Sequence, residues 1–455
     1  MLLSINPATG ALRNRFPEHT QEDVDAALDA ARNAQLAWRE TALADRSALL
    51  RAIAAALRSR ADVLARVVTE EMGKPYAEAL AEVEKCAWCC TFYAEKGPDF
   101  LAPEPIATEA AYSAATFDPL GVVFAIMPWN YPLWQFFRFF APALMAGNGV
   151  VLKHASNVPE CALLIADVLR EAQVPEGLAG VLMIGPDPVG AIIADDRIAA
   201  ITLTGSTAVG AVVAAQAGAA LKKQVLELGG SDPFIVLADA DIAKAAAAGV
   251  RSRFINNGQS CVNAKRFIVE ASVADAFADA FCAEVERLKV GDPMDDGVSI
   301  GPMARDNLRA ELHAQVQKSV ERGAVARLGG RPIDGAGSFY APTVLDQVAP
   351  GMPAFDEELF GPVAAIIRAD DREHAIALAN RSEYGLGAAI WTADTERARA
   401  VVPRIEAGAV FINAIVASHP HLPFGGIKKS GYGRELGSYG LREFVNVKTV
   451  WVGGE

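Results

Sequence analysis

A cysteine and a glutamate carry the most specific chemistry in this sequence. Cys261 ends the run NNGQSC, and Glu227 lies within LELGG. A cysteine thiolate can add to a carbonyl carbon, and a carboxylate on a separate segment can then activate water against the resulting acyl thioester. Most cysteines are instead small buried apolar residues. Because Arg253 and Lys265 lie close in the sequence and favour a thiolate, we predict Cys261 as a nucleophile and Glu227 as a possible base.

An asparagine between two prolines is the candidate that would stabilise an adduct on the cysteine. Asn130 lies in the run PWNYP, directly after an apolar stretch that is typical of a buried strand. Its side-chain N–H and the backbone N–H of Cys261 can hold the oxygen of a tetrahedral adduct, at about 3 kcal/mol per donor. An asparagine that only satisfies the backbone of a turn is the alternative interpretation.

Polar residues that follow apolar runs are candidates for binding a dinucleotide. Lys153 ends a strand-like run, the position where ligands bind in parallel sheets. Thr204-Gly205-Ser206 follows a later strand and opens a helix, so its backbone N–H groups can meet a phosphate. Glu358 can hold ribose hydroxyls, and Phe360 can pack against a nicotinamide; a loop acid and a core aromatic are the alternatives. The Gly-rich run 424–435 lacks the Walker order, so nucleotide hydrolysis is not expected.

These candidates lie on alternating strands and helices. The first hundred residues have the apolar spacing of helices, beginning with a capping box at Thr20. From Gly121, and again from Phe234, β-rich runs alternate with helical runs. This pattern predicts an α/β fold with two parallel-sheet lobes. Residues 111–117 and 445–452 alternate like exposed strands, which can pair between subunits as a small β oligomerisation arm.

The predicted domain division follows these changes of pattern. It comprises a cofactor-binding domain over 1–228, with 97–118 contributing to the β arm, a catalytic domain over 229–420, and a C-terminal segment over 421–455 that returns to the cofactor lobe and the arm. Glu227 then lies at the junction of the lobes, and Cys261 opens toward it from the second lobe. Ligand sites concentrate in such clefts.

Composition restricts the partners. The 455 residues carry a formal net charge of -13, and an acidic body repels nucleic acid and anionic membranes. The first residues have no basic start and no long apolar run, so we expect neither a signal peptide nor an anchor, and a cytoplasmic location. The 6 cysteines are too few for a disulfide framework at this length. Cys86 and Cys89 form a Cys-x-x-Cys, but the helical setting and the scarcity of histidine favour core packing over a metal site.

Five motifs together resemble the aldehyde dehydrogenase superfamily, in order and spacing, over essentially the whole chain. They are Pro128-Trp129-Asn130, residues 226–230, residues 258–261, residues 358–362 and Phe424-Gly425-Gly426. The resemblance implies Cys261 as the nucleophile, Glu227 as the general base and Asn130 as the oxyanion donor. It also implies an NAD(P) site formed by Trp129, Lys153, Ser156, Gly185, Thr204, Gly205, Ser206, Leu228, Glu358 and Phe360.

Within the superfamily, the chain is most similar to the bacterial succinate-semialdehyde dehydrogenases. Arg138, on the helix that lines the substrate tunnel in the family, and Ser418, on the loop closing its mouth, match positions that bind the far carboxylate of the substrate. A guanidinium suits a carboxylate, and a salt bridge is the alternative for Arg138. Some members carry a second tunnel arginine where Ile255 stands here. Arg253 and His419 are the residues that can compensate.

The resemblance implies oxidation of succinate semialdehyde to succinate with NAD(P)+, through a thiohemiacetal and a thioester on Cys261. NAD-preferring relatives often carry glutamate where Ser156 stands. A small neutral residue beside Lys153 leaves room and charge for a 2′-phosphate, so we predict that NADP is used at least as well as NAD. Glutarate semialdehyde, or a broad range of aliphatic aldehydes, is the alternative substrate, and a cofactor-independent cysteine hydrolase is the alternative class. We also expect a homodimer or homotetramer.

Overall fold

A computed structural model describes residues 1–454, and its first hundred residues form a hairpin followed by four long helices. The predicted capping box is confirmed. The Thr20 hydroxyl accepts the N–H of Asp23 at 3.2 Å, and the Asp23 carboxylate accepts the N–H of Thr20 at 2.8 Å. The elements are β1 (Leu2–Ile5), β2 (Leu12–Phe16), α1 (Gln21–Trp38), α2 (Leu43–Ser59), α3 (Ala61–Met72) and α4 (Tyr76–Phe100).

Two strands, β3 (Glu104–Pro105) and β4 (Tyr112–Pro119), lead into the first α/β lobe. Its elements are β5 (Val122–Met127), α5 (Trp134–Met145), β6 (Gly149–His154), α6 (Pro159–Glu171), β7 (Ala179–Val181), α7 (Val189–Ala194), β8 (Ile198–Thr204), α8 (Thr207–Ala219) and β9 (Lys223–Glu227). These strands are parallel, in the order β9-β8-β5-β6-β7. The chain order reverses between β5 and β8, and ligands in open α/β sheets bind at the carboxyl end of such a switch point.

The second lobe is a seven-stranded sheet that is also covered by helices. Its elements are β10 (Asp232–Val236), α9 (Ile242–Phe254), β11 (Ala264–Glu270), α10 (Ala271–Val285), α11 (Asp306–Glu321), β12 (Val325–Leu328), β13 (Thr343–Asp346), α12 (Pro353–Asp356), β14 (Val363–Ala369), α13 (Arg372–Asn380), β15 (Tyr384–Gly385), β16 (Gly387–Trp391), α14 (Thr395–Val401) and β17 (Ala409–Ile412), with 3₁₀ turns at Ile255–Gly258 and Val402–Arg404. The strand order is β12-β13-β14-β11-β10-β16-β17, and only the β12–β13 pair is antiparallel. The prediction of two parallel-sheet α/β lobes is therefore confirmed.

The C-terminal segment contacts both lobes and a separate small sheet. Its elements are β18 (Ile427–Lys428), β19 (Gly431–Tyr432), α15 (Gly437–Arg442) and β20 (Val445–Val452). Strand β18 pairs with β15, and β19 pairs with β9 at the edge of the first sheet. Strand β20 pairs antiparallel with β4, from Val445 opposite Pro119 to Val452 opposite Tyr112. The two strands expected to pair between subunits thus pair with each other within one chain, and β20 keeps an outer edge among the described residues.

The cysteines of the Cys-x-x-Cys lie in the core, inside α4. Cys86, Cys89 and the neighbouring Cys90 are buried, and burial raises the pKa of the Cys90 thiol to about 12. Within residues 1–454, no group of three or more His, Cys, Asp or Glu side chains is arranged to hold a metal ion. The described helices include none that is both long and apolar enough to cross a membrane.

Candidate active site

Strand register in the first sheet brings the predicted cofactor residues to one edge. Ile126 on β5 lies opposite both Lys153 on β6 and Leu203 on β8. Thr204, at the end of β8, lies opposite Glu227 at the end of β9. Because the strands are parallel, the segments that follow them all start from the same edge of the sheet. The switch point between β5 and β8 lies at this edge.

The loop that carries the predicted nucleophile is held by side-chain hydrogen bonds to distant backbone groups. Asn256 and Asn257 adopt left-handed φ values of 57° and 55°. The Asn257 Nδ2 donates to the carbonyl oxygens of Gly73 and Pro302 at 2.8 and 2.9 Å. The Asn256 Nδ2 donates to the carbonyl oxygen of Asn130 at 2.9 Å. Tertiary contacts therefore fix a backbone conformation that local preference alone would not select.

Asn130 has its amide N–H directed toward this same loop. Its Nδ2 donates to the carbonyl oxygen of Gln259 at 3.0 Å, and its Oδ1 accepts from the Nε2 of Gln135 at 3.1 Å. The contact with Gln135 fixes which end of the Asn130 amide donates. The Nδ2 carries a second N–H, and Asn130 shares a cavity wall with Cys261. Gln135 was not predicted as a site residue, since nothing in its sequence setting signals this contact.

Two cavities meet at Cys261. The first, about 240 Å³ in volume, is lined by the segments that follow β5, β8 and β9 and by residues of the second lobe. The second, about 210 Å³ in volume, lies between α4, α5 and the loop 413–423, and its wall is mostly apolar. Cys261 and Gln135 line both cavities. The thiol can therefore reach a group held in either one.

Most of the predicted cofactor residues line the first cavity. Glu358 accepts the N–H of Gly230 at 3.0 Å and lies 3.3 Å from the Nζ of Lys265. The Phe360 ring meets the Trp129 ring edge-on, with centroids 5.8 Å apart. The predicted residues on this wall are Trp129, Thr204, Gly205, Ser206, Leu228, Glu358 and Phe360. Arg305, whose guanidinium lies 5.9 Å from the centre of the Trp129 ring, also lines this cavity and was not predicted.

Lys153, Ser156 and Gly185 are not part of that cavity wall. The N–H of Gly185 donates to the Glu18 carboxylate at 3.2 Å. Lys153 is half-buried at the end of β6, and burial lowers the pKa of its ammonium group. Among residues 1–454, no acidic side chain forms a salt bridge with it. A half-buried cation without a counter-charge is suited to binding an anionic ligand.

The electrostatic surroundings of Cys261 differ from the expectation. Burial raises the pKa of its thiol to about 11, and the nearby Arg138 and Lys265 offset this effect only in part. The Lys265 Nζ donates instead to the carbonyl oxygens of Ser260 and Cys261, at 2.9 and 2.8 Å. Lys265 therefore favours the thiolate, as predicted, whereas Arg253 is not among the charges that lower the pKa of this thiol. Burial outweighs the combined effect of Arg138 and Lys265.

Arg253 is directed into the second lobe. Its buried guanidinium donates to the carbonyl oxygens of Leu359 and Gly258, at 2.9 and 3.2 Å. It does not line the second cavity, whereas Ile255 does. Arg253 consequently cannot replace the tunnel arginine that is absent at Ile255. His419 is exposed and packs edge-on against Trp88, with ring centroids 4.7 Å apart.

Glu227 lies in a buried acidic cluster and lines neither cavity. Its two carboxylate oxygens have no hydrogen-bond partner among the described residues. Burial, followed by the nearby Glu435 carboxyl, raises the pKa of Glu227 well above its usual range. Glu435 itself forms a buried ion pair with Arg138. Because Glu227 lines neither cavity, its side chain has to turn toward the thioester to act as a base.

The second cavity contains both predicted substrate residues and one cation that was not predicted. Arg138 and Ser418 line it, and Arg138 also donates to the Thr204 hydroxyl at 3.2 Å. Lys85, on α4, donates to the Ser418 hydroxyl at 3.0 Å. The two residues are 333 positions apart in the sequence, so no local pattern could signal this contact.

The two-lobed α/β fold places a cysteine between two cavities, an arrangement suited to an enzyme that forms a covalent bond to its substrate beside a bound cofactor. A model of the aldehyde dehydrogenase family matches residues 2–450, and the chain belongs to this family. It is 52% identical over 449 residues to the NAD(P)+-dependent succinate semialdehyde dehydrogenase Sad of Escherichia coli K12, covering 99% of this chain and 97% of that protein. It is 50% identical to a probable NADP+-dependent succinate-semialdehyde dehydrogenase of Synechocystis, covering 99% of each.

Solved structures of succinate-semialdehyde dehydrogenases have the same fold as this chain. The succinic semialdehyde dehydrogenase of Streptococcus pyogenes, solved in complex with NADP+, superposes with a TM-score of 0.97 at 38% identity, covering 100% of both chains. A succinate-semialdehyde dehydrogenase from Burkholderia pseudomallei superposes with a TM-score of 0.96 at 36% identity, covering 99% of this chain and 94% of that one.

Proposed function

We propose that this chain oxidises succinate semialdehyde to succinate with NADP+ or NAD+, through a thiohemiacetal and a thioester on Cys261. The observation that carries the proposal is the position of Cys261 between two cavities. One has polar, glycine and aromatic groups suited to a nicotinamide cofactor. The other has an apolar wall and cationic groups suited to an aldehyde that bears a carboxylate. The substrate named for the relatives in Escherichia coli and Streptococcus pyogenes supports this choice.

The proposed mechanism begins with loss of the Cys261 proton and addition of the sulfur to the aldehyde carbon. The Asn130 Nδ2 and the Cys261 backbone N–H hold the resulting oxyanion. The bound cofactor supplies the hydride acceptor that converts the thiohemiacetal to a thioester. Glu227, once deprotonated, takes a proton from water as it attacks the thioester carbon. The carbon–sulfur bond then breaks, the carboxylic acid is released, and the proton held by Glu227 passes to the departing Cys261 sulfur. The proton lost from Cys261 in the first step goes to solvent.

The first cavity and its surroundings fit a nicotinamide cofactor. Glu358 would hold ribose hydroxyls, and Phe360 would pack against the nicotinamide. Ser206 is the N-cap of α8, so the free N–H groups of the first turn of this helix can bind a phosphate. Lys153 is a half-buried cation without a carboxylate partner among residues 1–454, and it suits a further phosphate next to Ser156.

A substrate panel tests the proposed function. Initial rates of cofactor reduction are measured for succinate semialdehyde, glutarate semialdehyde and butanal, each with NADP+ and with NAD+. We expect the highest kcat/KM for succinate semialdehyde, because its carboxylate complements the cationic end of the second cavity. A kcat/KM for butanal that equals or exceeds the value for succinate semialdehyde would contradict the proposed substrate. A lack of cofactor reduction with every aldehyde would contradict the reaction itself.

Cofactor choice gives a second prediction, on Ser156. In the unmodified chain, kcat/KM with NADP+ is expected to be at least equal to that with NAD+. Ser156→Glu places a carboxylate where it repels a 2′-phosphate and accepts hydrogen bonds from ribose hydroxyls. The ratio of kcat/KM for NADP+ to that for NAD+ should therefore fall by about tenfold or more. Titration of each cofactor into the variant, followed by tryptophan fluorescence, separates binding from turnover. A strong NAD+ preference of the unmodified chain would contradict the prediction.

Removal of the proposed oxyanion donor gives a third prediction. Asn130→Ala should lower kcat by about 10²- to 10³-fold, because the Nδ2 stabilises a charge that develops only in the transition state. The thermal midpoint of unfolding is measured in parallel, since the variant also loses the hydrogen bonds to Gln259 and Gln135. A folded variant whose kcat stays within about threefold of the original would show that Asn130 serves only its loop.

We also propose an assembly and a division into domains. We infer a homodimer or homotetramer in which the sheet of β3, β4 and β20 contributes the interface, supported by the open edge of β20 and the exposed Val447 and Trp451. The proposed cofactor-binding domain, residues 1–228, ends between β9 and β10, and the proposed catalytic domain, 229–420, contains the whole seven-stranded sheet. We propose that the protein is located in the cytoplasm.

A further inference from the structure

We propose that Lys85, which contacts Ser418, supplies a second cation for the far carboxylate of the semialdehyde, beside Arg138, whose charge is partly offset by Glu435. The inference rests on the proposed function, because it assigns a group that recognises the carboxylate of that substrate. It concerns the second cavity, which Lys85, Arg138 and Ser418 line together with Cys261.

The hydrogen bonds of Ser418 indicate which kind of ligand its hydroxyl can bind. Its Oγ accepts from the Nζ of Lys85 at 3.0 Å and from the Nε1 of Trp134 at 3.0 Å. A hydroxyl has two acceptor lone pairs and one donor, so both lone pairs of Ser418 are occupied and its O–H is left to donate. A group with acceptors only, such as a carboxylate, completes this arrangement.

Lys85 is the cation of this cavity that has no acidic partner. Its ammonium lies over the Trp134 ring, 4.3 Å from the ring centre, and uses one of its three N–H donors on Ser418. Among residues 1–454, no acidic side chain forms a salt bridge with Lys85. Arg138 also lines the cavity, but its guanidinium is paired with the buried Glu435 carboxyl and donates to the Thr204 hydroxyl. Lys85 is therefore the cavity cation whose charge is not offset by an ion pair with a carboxylate of the described residues.

The remaining acidic groups of the cavity already have partners. Glu82 forms a buried ion pair with Lys74 and also accepts the N–H groups of Leu133 and Trp134, each at 2.9 Å. Glu78 accepts the N–H of Asn256 at 2.7 Å. Apolar side chains form much of the remaining wall, namely Ile255, Val262, Ile415, Val416 and Phe424. An apolar wall between a reactive thiol and a cation fits a short methylene chain with an aldehyde at one end and a carboxylate at the other.

The test compares succinate semialdehyde with butanal, which has the same number of carbons and no carboxylate, at saturating NADP+. Lys85→Met keeps the length of the side chain and removes its charge. The ratio of kcat/KM for succinate semialdehyde to that for butanal should fall by about 10- to 100-fold. The loss should appear mainly as a raised KM for the semialdehyde, because the carboxylate contact is equally present in the ground state and the transition state. Lys85→Arg should restore part of the ratio.

A pH series on the unmodified enzyme provides a readout that needs no variant. Burial, followed by the charge of Arg138, lowers the pKa of Lys85 to about 8. The cation is present below that pH and is lost above it, so the ratio of the two kcat/KM values should fall as the pH rises through 8. Ionisation of Cys261 affects both aldehydes and cancels in the ratio. The other titratable or charged groups that face Lys85 are Glu82, Cys86 and Cys89 on its own helix, Arg138 on α5, and His419 on the loop 413–423.

The outcomes separate this inference from the proposed function. A tenfold fall of the ratio in Lys85→Met, with a pH-dependent ratio in the unmodified enzyme, supports the assignment. A preference for succinate semialdehyde that survives Lys85→Met within twofold overturns the role of Lys85 and leaves the proposed function intact. If that preference survives Lys85→Met but is lost in Arg138→Met, Arg138 binds the carboxylate without Lys85. An unmodified enzyme that shows no preference over butanal overturns both.

Discussion

Cys261→Ala should abolish both the burst and the steady-state formation of reduced cofactor, with kcat lowered by at least about 10⁴-fold. The reason is that every proposed intermediate is bonded to the Cys261 sulfur, so no other group of the site can accept the acyl chain. The variant should retain its thermal midpoint, since Cys261 is a half-buried residue and its loop is held by the side chains of Asn256 and Asn257. Stopped-flow absorbance of the reduced nicotinamide measures both phases.

Cys282→Ala is the matched control for that experiment. Cys282 is likewise a half-buried thiol, but it lies on α10 and lines neither cavity at the nucleophile. Its loss should leave the burst amplitude and kcat within about twofold. Retention of a burst in Cys261→Ala would refute Cys261 as the nucleophile. The nucleophile would then be another residue of the two cavity walls.

Glu227→Gln should behave in the opposite way, keeping a burst of reduced cofactor while losing turnover. The first half of the reaction does not need the Glu227 carboxylate, whereas attack of water on the thioester does. We expect a burst of about one equivalent per active site, followed by a steady-state rate lowered by about 10²- to 10⁴-fold. The thioester on Cys261 should then accumulate, and intact-protein mass spectrometry of the quenched reaction should detect it.

The structure explains why this substitution should be tolerated. Burial disfavours the charged form of the Glu227 carboxyl and raises the pKa of this group well above its usual range. A neutral amide of the same shape avoids the cost of burying a charge, so little stability should be lost. Glu357→Gln, on an exposed acid beside the predicted cofactor loop, provides the control and should keep both phases. Equal loss of burst and turnover in Glu227→Gln would place Glu227 before the thioester and contradict its role as deacylating base.

The fold could be predicted largely from local pattern. Alternating β-rich and helical runs indicated two parallel-sheet lobes, and a capping box at Thr20 marked the first helix. Parallel strands also place their carboxyl ends at one edge of the sheet. The strand pattern therefore predicts that the residues after β5, β8 and β9 lie close together. Strands β4 and β20 were expected to pair between subunits, but they pair with each other within one chain, because an exposed alternating strand does not by itself identify its partner.

The sequence by itself determined which side chains can do chemistry, since residue type and motif define a thiol, a base and an amide donor. Only the tertiary structure decided their electrostatic state. Burial raises the pKa of the Cys261 thiol to about 11. The Arg253 guanidinium donates instead to backbone carbonyl groups of its own lobe. Arg138 is paired with Glu435, whereas Lys85 meets Ser418 across 333 residues. Charges act through space with a strength set by distance and burial, and neither quantity can be read from a local run of residues.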